Sequence, residues 1–371
     1  MHYSLSPKKT AKSLSHLFLC LFLLLSSISA PVALAENSGA ANDVQQLLQK
    51  GLTIHEIDQE VQRLSEQDTQ FANQIQANQA KLAELQGKTE DLRRRAGKVL
   101  VSYYTGQRNK LWLILFQAGS LTEALDLYEY LSAVMDGDRK ALQSYKQNVQ
   151  DIQKTNTNLE ANRTRLNTVK QQLLDQRKRL VALQKQLDAE LASRKDAEAI
   201  KRQIQEVNTS WEQKGLPVFK TYLQALSDAM DHFPKFISTY KDSLTMDGFN
   251  YSLEIQDQQL NEFLRNENPL FTQVTFAFEQ NELVIKGMQD QMNVEIRGYF
   301  ILEQKPENVL RFVITHLKFN GLELPDTRRN QLQEQFQLGV YPQKIASFLT
   351  ATDVRIEANK LIIHFAFNLG Q

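Results

Sequence analysis

Four histidines lie beyond residue 35: His55, His232, His316 and His364. Imidazole suits general acid–base work near neutral pH and is a common zinc ligand. A hydrolytic zinc centre needs several such ligands drawn together with Asp or Glu. None of the four stands in an H-x-H, H-E-x-x-H or H-x-x-x-D spacing. His316 and His364 fall in strand-like segments that a sheet would bring side by side, as a two-histidine metal site or as structural histidines satisfied by their neighbours. The single cysteine, Cys20, sits in an apolar run near the N-terminus, so a cysteine nucleophile is not expected in the folded part. No G-x-S-x-G elbow, G-x-x-x-x-G-K-[ST] loop or G-x-G-x-x-G turn occurs. Any two carboxylates can meet in a fold, but nothing marks out a pair for glycoside hydrolysis. The chain is read as non-catalytic, with no cofactor and no metal.

Two groups of aromatic residues remain. The first lies in Gly97–Asp138, where Tyr103, Tyr104, Leu111, Trp112, Leu115, Phe116, Tyr128 and Tyr130 crowd together with Leu121 and Leu125. These are more apolar groups than one seam between two helices can bury. They form either a small capping core of folded-back helices or an exposed patch for a partner, and different faces can do both. The second group is Phe276, Phe278, Phe300, Phe312, Phe365 and Phe367, accompanied by Phe271, Phe319, Phe336 and Phe348. It reads as ordinary core or as the lining of a cavity for a lipid or other apolar ligand.

The elements that position these groups follow from periodicity. Ile54, Ile57, Val61, Leu64, Phe71, Ile75, Leu82, Leu85, Leu92 and Val99 alternate by three and four residues, with Asp68, Asn78 and Thr89 in the remaining slots. That is a heptad seam with polar interruptions, each expecting a polar partner on the facing helix. The pattern resumes with Leu142, Tyr145, Val149, Ile152, Leu159, Leu166, Val169, Leu173, Leu180, Leu183, Leu187 and Leu191, and Gly215-Leu216-Pro217 is expected to end the helix. The first arm, residues 53–104, would span about 75 Å and the second, 138–212, about 110 Å, so the second overshoots by about 35 Å and must pack on something else. Glycines at 97, 106, 119 and 137 suit a reversal between the arms.

After Val218 the pattern changes. Phe219, Tyr222, Leu223, Leu226, Met230 and Phe233 fit amphipathic helices. Strands are expected at Tyr251–Ile255, Val274–Phe278, Glu282–Ile285, Met292–Glu303, Leu310–Phe319 and Lys360–Phe367, where apolar residues alternate or run continuously. A helix is expected over Gln258–Leu264, helical character interrupted near Gly339 and Pro342 over Pro325–Leu349, and turns at Gln280-Asn281 and Ala358-Asn359. The predicted fold is a long antiparallel α-helical coiled-coil hairpin followed by an α+β domain with a curved, mostly antiparallel sheet. Its expected parts are an N-terminal linker at 36–52, the hairpin at 53–212 with its tip at 97–138, and the α+β domain at 213–371.

Residues 1–35 read as a signal peptide: Lys8, Lys9 and Lys12, the apolar run Leu17–Leu25, and Ala33-Leu34-Ala35 before Glu36. Removing them takes away three lysines and no acid, so the remainder, from a chain with equal numbers of acids and bases, is acidic by three charges. That balance excludes the basic excess of a nucleic-acid protein. An extracytoplasmic location at the cell envelope is expected, with the leader removed or kept as an anchor.

The segment Arg95–Asp136 resembles the N-terminal coiled-coil region of PcsB/CwlO/EnvC-type peptidoglycan hydrolase and activator proteins. The matching positions are Tyr103, Gly106, Leu111, Ile114, Leu115, Ser120, Leu121, Tyr128 and Asp136, within a likeness covering about residues 45 to 205. The resemblance implies an envelope protein whose coiled coil docks on a membrane complex of the FtsEX type or on a cell-wall hydrolase. The wall-cleaving domain of that family has no match in this chain, which leaves scaffolding or regulation of peptidoglycan remodelling. Phe276–Gly287, Gly298, Leu317–Pro325 and Val354–Phe367 resemble YpmS- or DUF2993-type extracytoplasmic domains, which implies lipid or apolar-ligand binding as the alternative, with the coiled coil as a spacer. Oligomeric state is left open by the sequence.

Overall fold

The computed structural model describes residues 33–248, 250–289 and 291–367. The proposed leader thus lies, apart from its last three residues, outside the described residues. Helix α1 spans Ala33–Tyr104 and helix α3 spans Leu121–Ala192, each 72 residues, with the short α2 (Gln107–Leu115) between them. The chain divides into two compact units: residues 56–185, and residues 186–371 together with the segment up to His55.

The unit of residues 56–185 is all helical. Every apolar position of the first predicted seam from Ile57 to Val99 is buried or half-buried, as are Asp68, Asn78 and Thr89. Leu64 packs with Val169 and Leu173, flanked by Val61 and Phe71. Further on, Asn148 donates from its amide nitrogen to the Thr89 hydroxyl at 2.9 Å. Early residues of α1 therefore meet late residues of α3. The polar interruption at Thr89 has the facing partner its position called for.

The other unit joins helices to two sheets. Its helices are α4 (Ala197–Ser210), α5 (Leu216–Asp231), α6 (Phe233–Thr239), α7 (Asp257–Glu267), α8 (Asp326–Gln335) and α9 (Pro342–Ile345). The first sheet has the order β1-β2-β10-β9, from Leu244–Asp247, Asn250–Gln256, Lys360–Phe367 and Leu349–Glu357. The second runs β3-β4-β5-β6-β7, from Val274–Glu279, Glu282–Gln289, Met292–Glu303, Val309–Phe319 and Leu322–Glu323, with β8 (Gly339–Val340) also pairing β6. All pairings are antiparallel. Asn281 and Asn359 take φ of 68° and 66° at the turns expected there, since Asn tolerates the left-handed region.

Three expectations change. The stretch read as a linker, 36–52, is helical, because Val44, Leu47, Leu48 and Leu52 recur on one face. Leu47 packs with Leu187, Leu191 and Ile200, while Leu52 joins the main core. The break at Gly215-Leu216-Pro217 is instead a π-helical turn, Trp211–Gly215, running straight into α5. Pro217 falls at the start of α5, where its missing N–H costs little. Gly215 is required by packing: a Cβ there would meet the Trp211 ring at 2.5 Å and the Phe319 ring at 2.9 Å. Trp211 is fully buried, its ring centroid 5.6 Å from Phe219 and 5.4 Å from Phe319. Third, the run Pro325–Leu349 holds α8 and α9 with β8 at the interruption expected near Gly339 and Pro342, but its last residue opens β9 instead of closing a helix.

The edges of the second sheet are closed by side-chain amides. Asn261 of α7 accepts from the Phe276 N–H at 3.0 Å and donates to the Phe276 carbonyl at 2.6 Å. Gln49 of α1 does the same for β7, accepting from the Glu323 N–H at 2.7 Å and donating to its carbonyl at 2.5 Å. Both mimic a further strand and satisfy groups that would otherwise template aggregation. Replacing Asn261 by Ala orphans a buried N–H and a carbonyl on β3. We expect a loss of about 1–3 kcal/mol in urea unfolding, with native spectra at low denaturant.

Candidate functional site

Helix α1 ends where Gly106, at φ 71°, lets the chain turn in the left-handed region. Helix α2 follows and ends at Phe116. Ser120 and Glu123 then start α3: Ser120 Oγ accepts from the Glu123 N–H at 3.2 Å, and the Glu123 carboxylate accepts from the Gly119 N–H at 2.8 Å. This near-reciprocal cap follows from the S-x-x-E spacing. Arg108 of α2 donates to the Asp138 carboxylate of α3 at 2.7 Å, and Asp138 is buried. That pair is a polar anchor for α2, none of whose residues is buried.

The apolar side chains of this reversal face water. Tyr104 is 94% exposed, Phe116 82% and Leu121 78%. Tyr103, Trp112, Leu113, Ile114, Leu125, Tyr128 and Tyr130 are also exposed, and Leu100 and Val101 extend the patch along α1. Of the eight partner-binding candidates, only Leu111 and Leu115 are half-buried. The capping-core reading fails for most of them, because α2 has too few neighbours to cover it.

Helix α3 carries two apolar stripes here. Ala124, Leu127, Leu131, Val134 and Asp138 are buried or half-buried. Leu121, Leu125, Tyr128 and Met135 form a second stripe at heptad spacing, about a quarter of a turn around the helix and exposed. Beside this outer stripe lie Glu129 and Asp136, both exposed.

The C-terminal aromatic group is not one site. Phe276, Phe278 and Phe300 line an apolar cavity of about 50 Å³ together with residues from α5, α6 and α7. Phe312 and Phe365 are buried core side chains, and Phe367 stacks on Phe348 with centroids 4.4 Å apart. An engineered cavity that takes up benzene measures roughly 150 Å³, so a resident lipid tail does not fit the closed cavity.

The histidines stay apart. His316 is on β6 and His364 on β10, in different sheets, so a shared sheet does not set them side by side. His55 pairs with Glu212 at 2.9 Å, His232 with Glu267 at 2.9 Å and His316 with Glu323 at 3.0 Å. Among the described residues, no three His, Cys, Asp or Glu side chains are grouped to hold a metal ion. Also among them, no helix is long and apolar enough to cross a membrane. Burial pushes the Asp257 carboxyl up and the Tyr240 hydroxyl up to about 12, the latter helped by Glu262; Asp257 also accepts from the Phe278 N–H at the edge of β3.

No family model matches the chain, and no curated protein or solved structure matches it.

The outer stripe on α3 is what sequence reasoning missed in kind. Leu121, Leu125 and Tyr128 stand among the apolar residues of the reversal, and the signal for a stripe is their three–four spacing, continued one heptad on by Met135 and offset from the seam. Replacing Asp138 by Ala leaves Arg108 without its carboxylate. Hydrogen exchange should quicken over residues 107–115, with a local loss of about 1–3 kcal/mol and an unchanged rate around Trp211.

Proposed function

We propose that this chain is an exported, non-catalytic envelope protein that acts as a docking scaffold or regulator in peptidoglycan remodelling. In this reading α1 and α3 form an antiparallel coiled-coil hairpin that presents the Gly97–Asp138 patch to a partner. The observation that carries it is the exposure of that patch. Six of its eight named side chains stand in water, and contiguous exposed apolar surface of this kind marks interaction sites. The pairing of Leu64 with Val169 and Leu173, and of Thr89 with Asn148, supports the hairpin. The likeness of Arg95–Asp136 to the PcsB/CwlO/EnvC-type coiled coil supports a membrane complex of the FtsEX type, or a wall hydrolase, as partner. The outer stripe of α3 suits an added helix.

A second reading rests on one observation. Phe300 and Val354 wall both the apolar cavity and an open cleft of about 730 Å³ that includes Tyr299, Arg355 and Glu357. If those two side chains part, cavity and cleft merge into a site for an apolar ligand or lipid. Native mass spectrometry of the purified full chain tests this: a co-purifying apolar ligand favours it, and a bare mass disfavours it.

For the docking reading, the full-length protein is used to capture its partner from detergent-solubilised membranes. The double substitution Leu125→Ser, Tyr128→Ser touches only exposed groups. It should reduce capture at least tenfold while circular dichroism and Tm stay at wild-type values. Equal capture by the variant would contradict the assignment of the site.

A further inference from the structure

The apex of the reversal differs from the stripe along α3. From Leu111 to Thr122 twelve consecutive residues carry no charge, bounded by Lys110 and Glu123. Within α2, Trp112, Leu113 and Ile114 are all exposed, and so is Phe116 at its end. Successive helical positions are 100° apart, so these side chains sweep well over half the helix circumference. Leu111 and Leu115 occupy much of the rest and are half-buried. The first turn of α2, residues 107–110, is polar, but residues 111–115 are apolar all round, and a helical stretch of that kind is normally found inside a core or a membrane. A protein groove covers one face of a helix and would leave the other outward directions in water. Lipid covers them all.

The charges agree with that occupant. The uncharged stretch matches the uncharged hydrocarbon, and ionic residues begin only where the chain leaves the apex: Lys110 on one side, Glu123, Asp126 and Glu129 on the other. Tyr103, Tyr104, Tyr128 and Tyr130, exposed on the flanking helices, are the amphipathic rings that favour the headgroup level. We propose that residues 111–122 insert into the surface of a lipid bilayer, the apolar end of α2 lying at the boundary of headgroups and acyl chains, about 5–10 Å deep. With one lysine on one side of the apex and three acids on the other, attachment is driven by the apolar side chains and not by attraction to anionic lipid. The inference goes beyond the docking reading and does not depend on it, since a protein partner can seat on the α3 stripe whether or not the apex meets lipid.

The chain contains its own reporter. It has two tryptophans, Trp112 at 39% exposure and Trp211 at 0%. The full-length protein is titrated with phosphatidylcholine vesicles, with and without phosphatidylglycerol, at low and high salt. The expected result is a blue shift of tryptophan emission with either vesicle, quenching by lipids brominated on the acyl chain, and little change with salt. In Trp112→Phe only Trp211 emits, and quenching should vanish. Leu113→Asp with Phe116→Asp changes two exposed residues and should lower vesicle partition at least tenfold, with Tm unchanged. The proposal is overturned by no shift with either vesicle, by binding confined to anionic vesicles and lost in salt, or by quenching that persists in Trp112→Phe. The first outcome would leave a protein groove as the cover for the apex, so partner capture through the α3 stripe stands or falls separately.

Discussion

Two packed helices can bury one stripe of side chains apiece, and every other apolar group they carry stays in water unless something else covers it. This constraint governs residues 56–185. Along most of α1 and α3 the sequence obeys it, keeping outward positions polar and charged, with ion pairs such as Lys88–Glu84 and Arg163–Glu160 along single helices. Such exposed pairs add little stability and mainly keep the face solvated. Between Gly97 and Asp138 the rule is broken. Apolar residues appear in numbers no two-helix seam can take up, and the short α2 adds a third surface without adding cover.

The sheet-bearing unit solves the same problem differently. Its Phe-rich strands close over α5, α6 and α7, and most of its large apolar side chains are buried or half-buried. Where burial would strand backbone groups, Asn261 and Gln49 stand in for a missing strand. Apolar surface is thus hidden in one unit and displayed in the other. That contrast gives the exposed patch its functional weight, because the chain is plainly able to bury what it needs to bury.

Much of this was legible in the sequence. The seam from Ile57 to Val99, the polar layer at Thr89, the strand Met292–Glu303 and the turns at Asn281 and Asn359 follow from heptad spacing, alternation and the left-handed tolerance of Asn. The misses have physical causes. β1 is four residues long, and β9, L-T-A-T-D-V-R-I-E, mixes small and charged residues because its alternating pattern serves only a partly buried edge. The π turn at Trp211–Gly215 leaves no periodic trace, since it is set by the fit of Trp211 against Phe319 rather than by local preference. Likewise, the number of aromatics at the reversal could be read from the sequence, but their exposure depends on how few neighbours α2 keeps. The six phenylalanines of the second group looked equivalent until the topology separated lining from core.

The central claim is that the reversal is a contact surface in the cell. Site-specific photo-crosslinking in intact cells tests it most directly, with the crosslinker placed at Leu125, Tyr128 or Phe116 and, as a control, at Val181, an exposed apolar position far along the same helix from Leu125. The account predicts discrete adducts, to membrane protein or to lipid, from the three tip positions and none from Val181. Tip positions that give no adducts, or no more than Val181 gives, would contradict it.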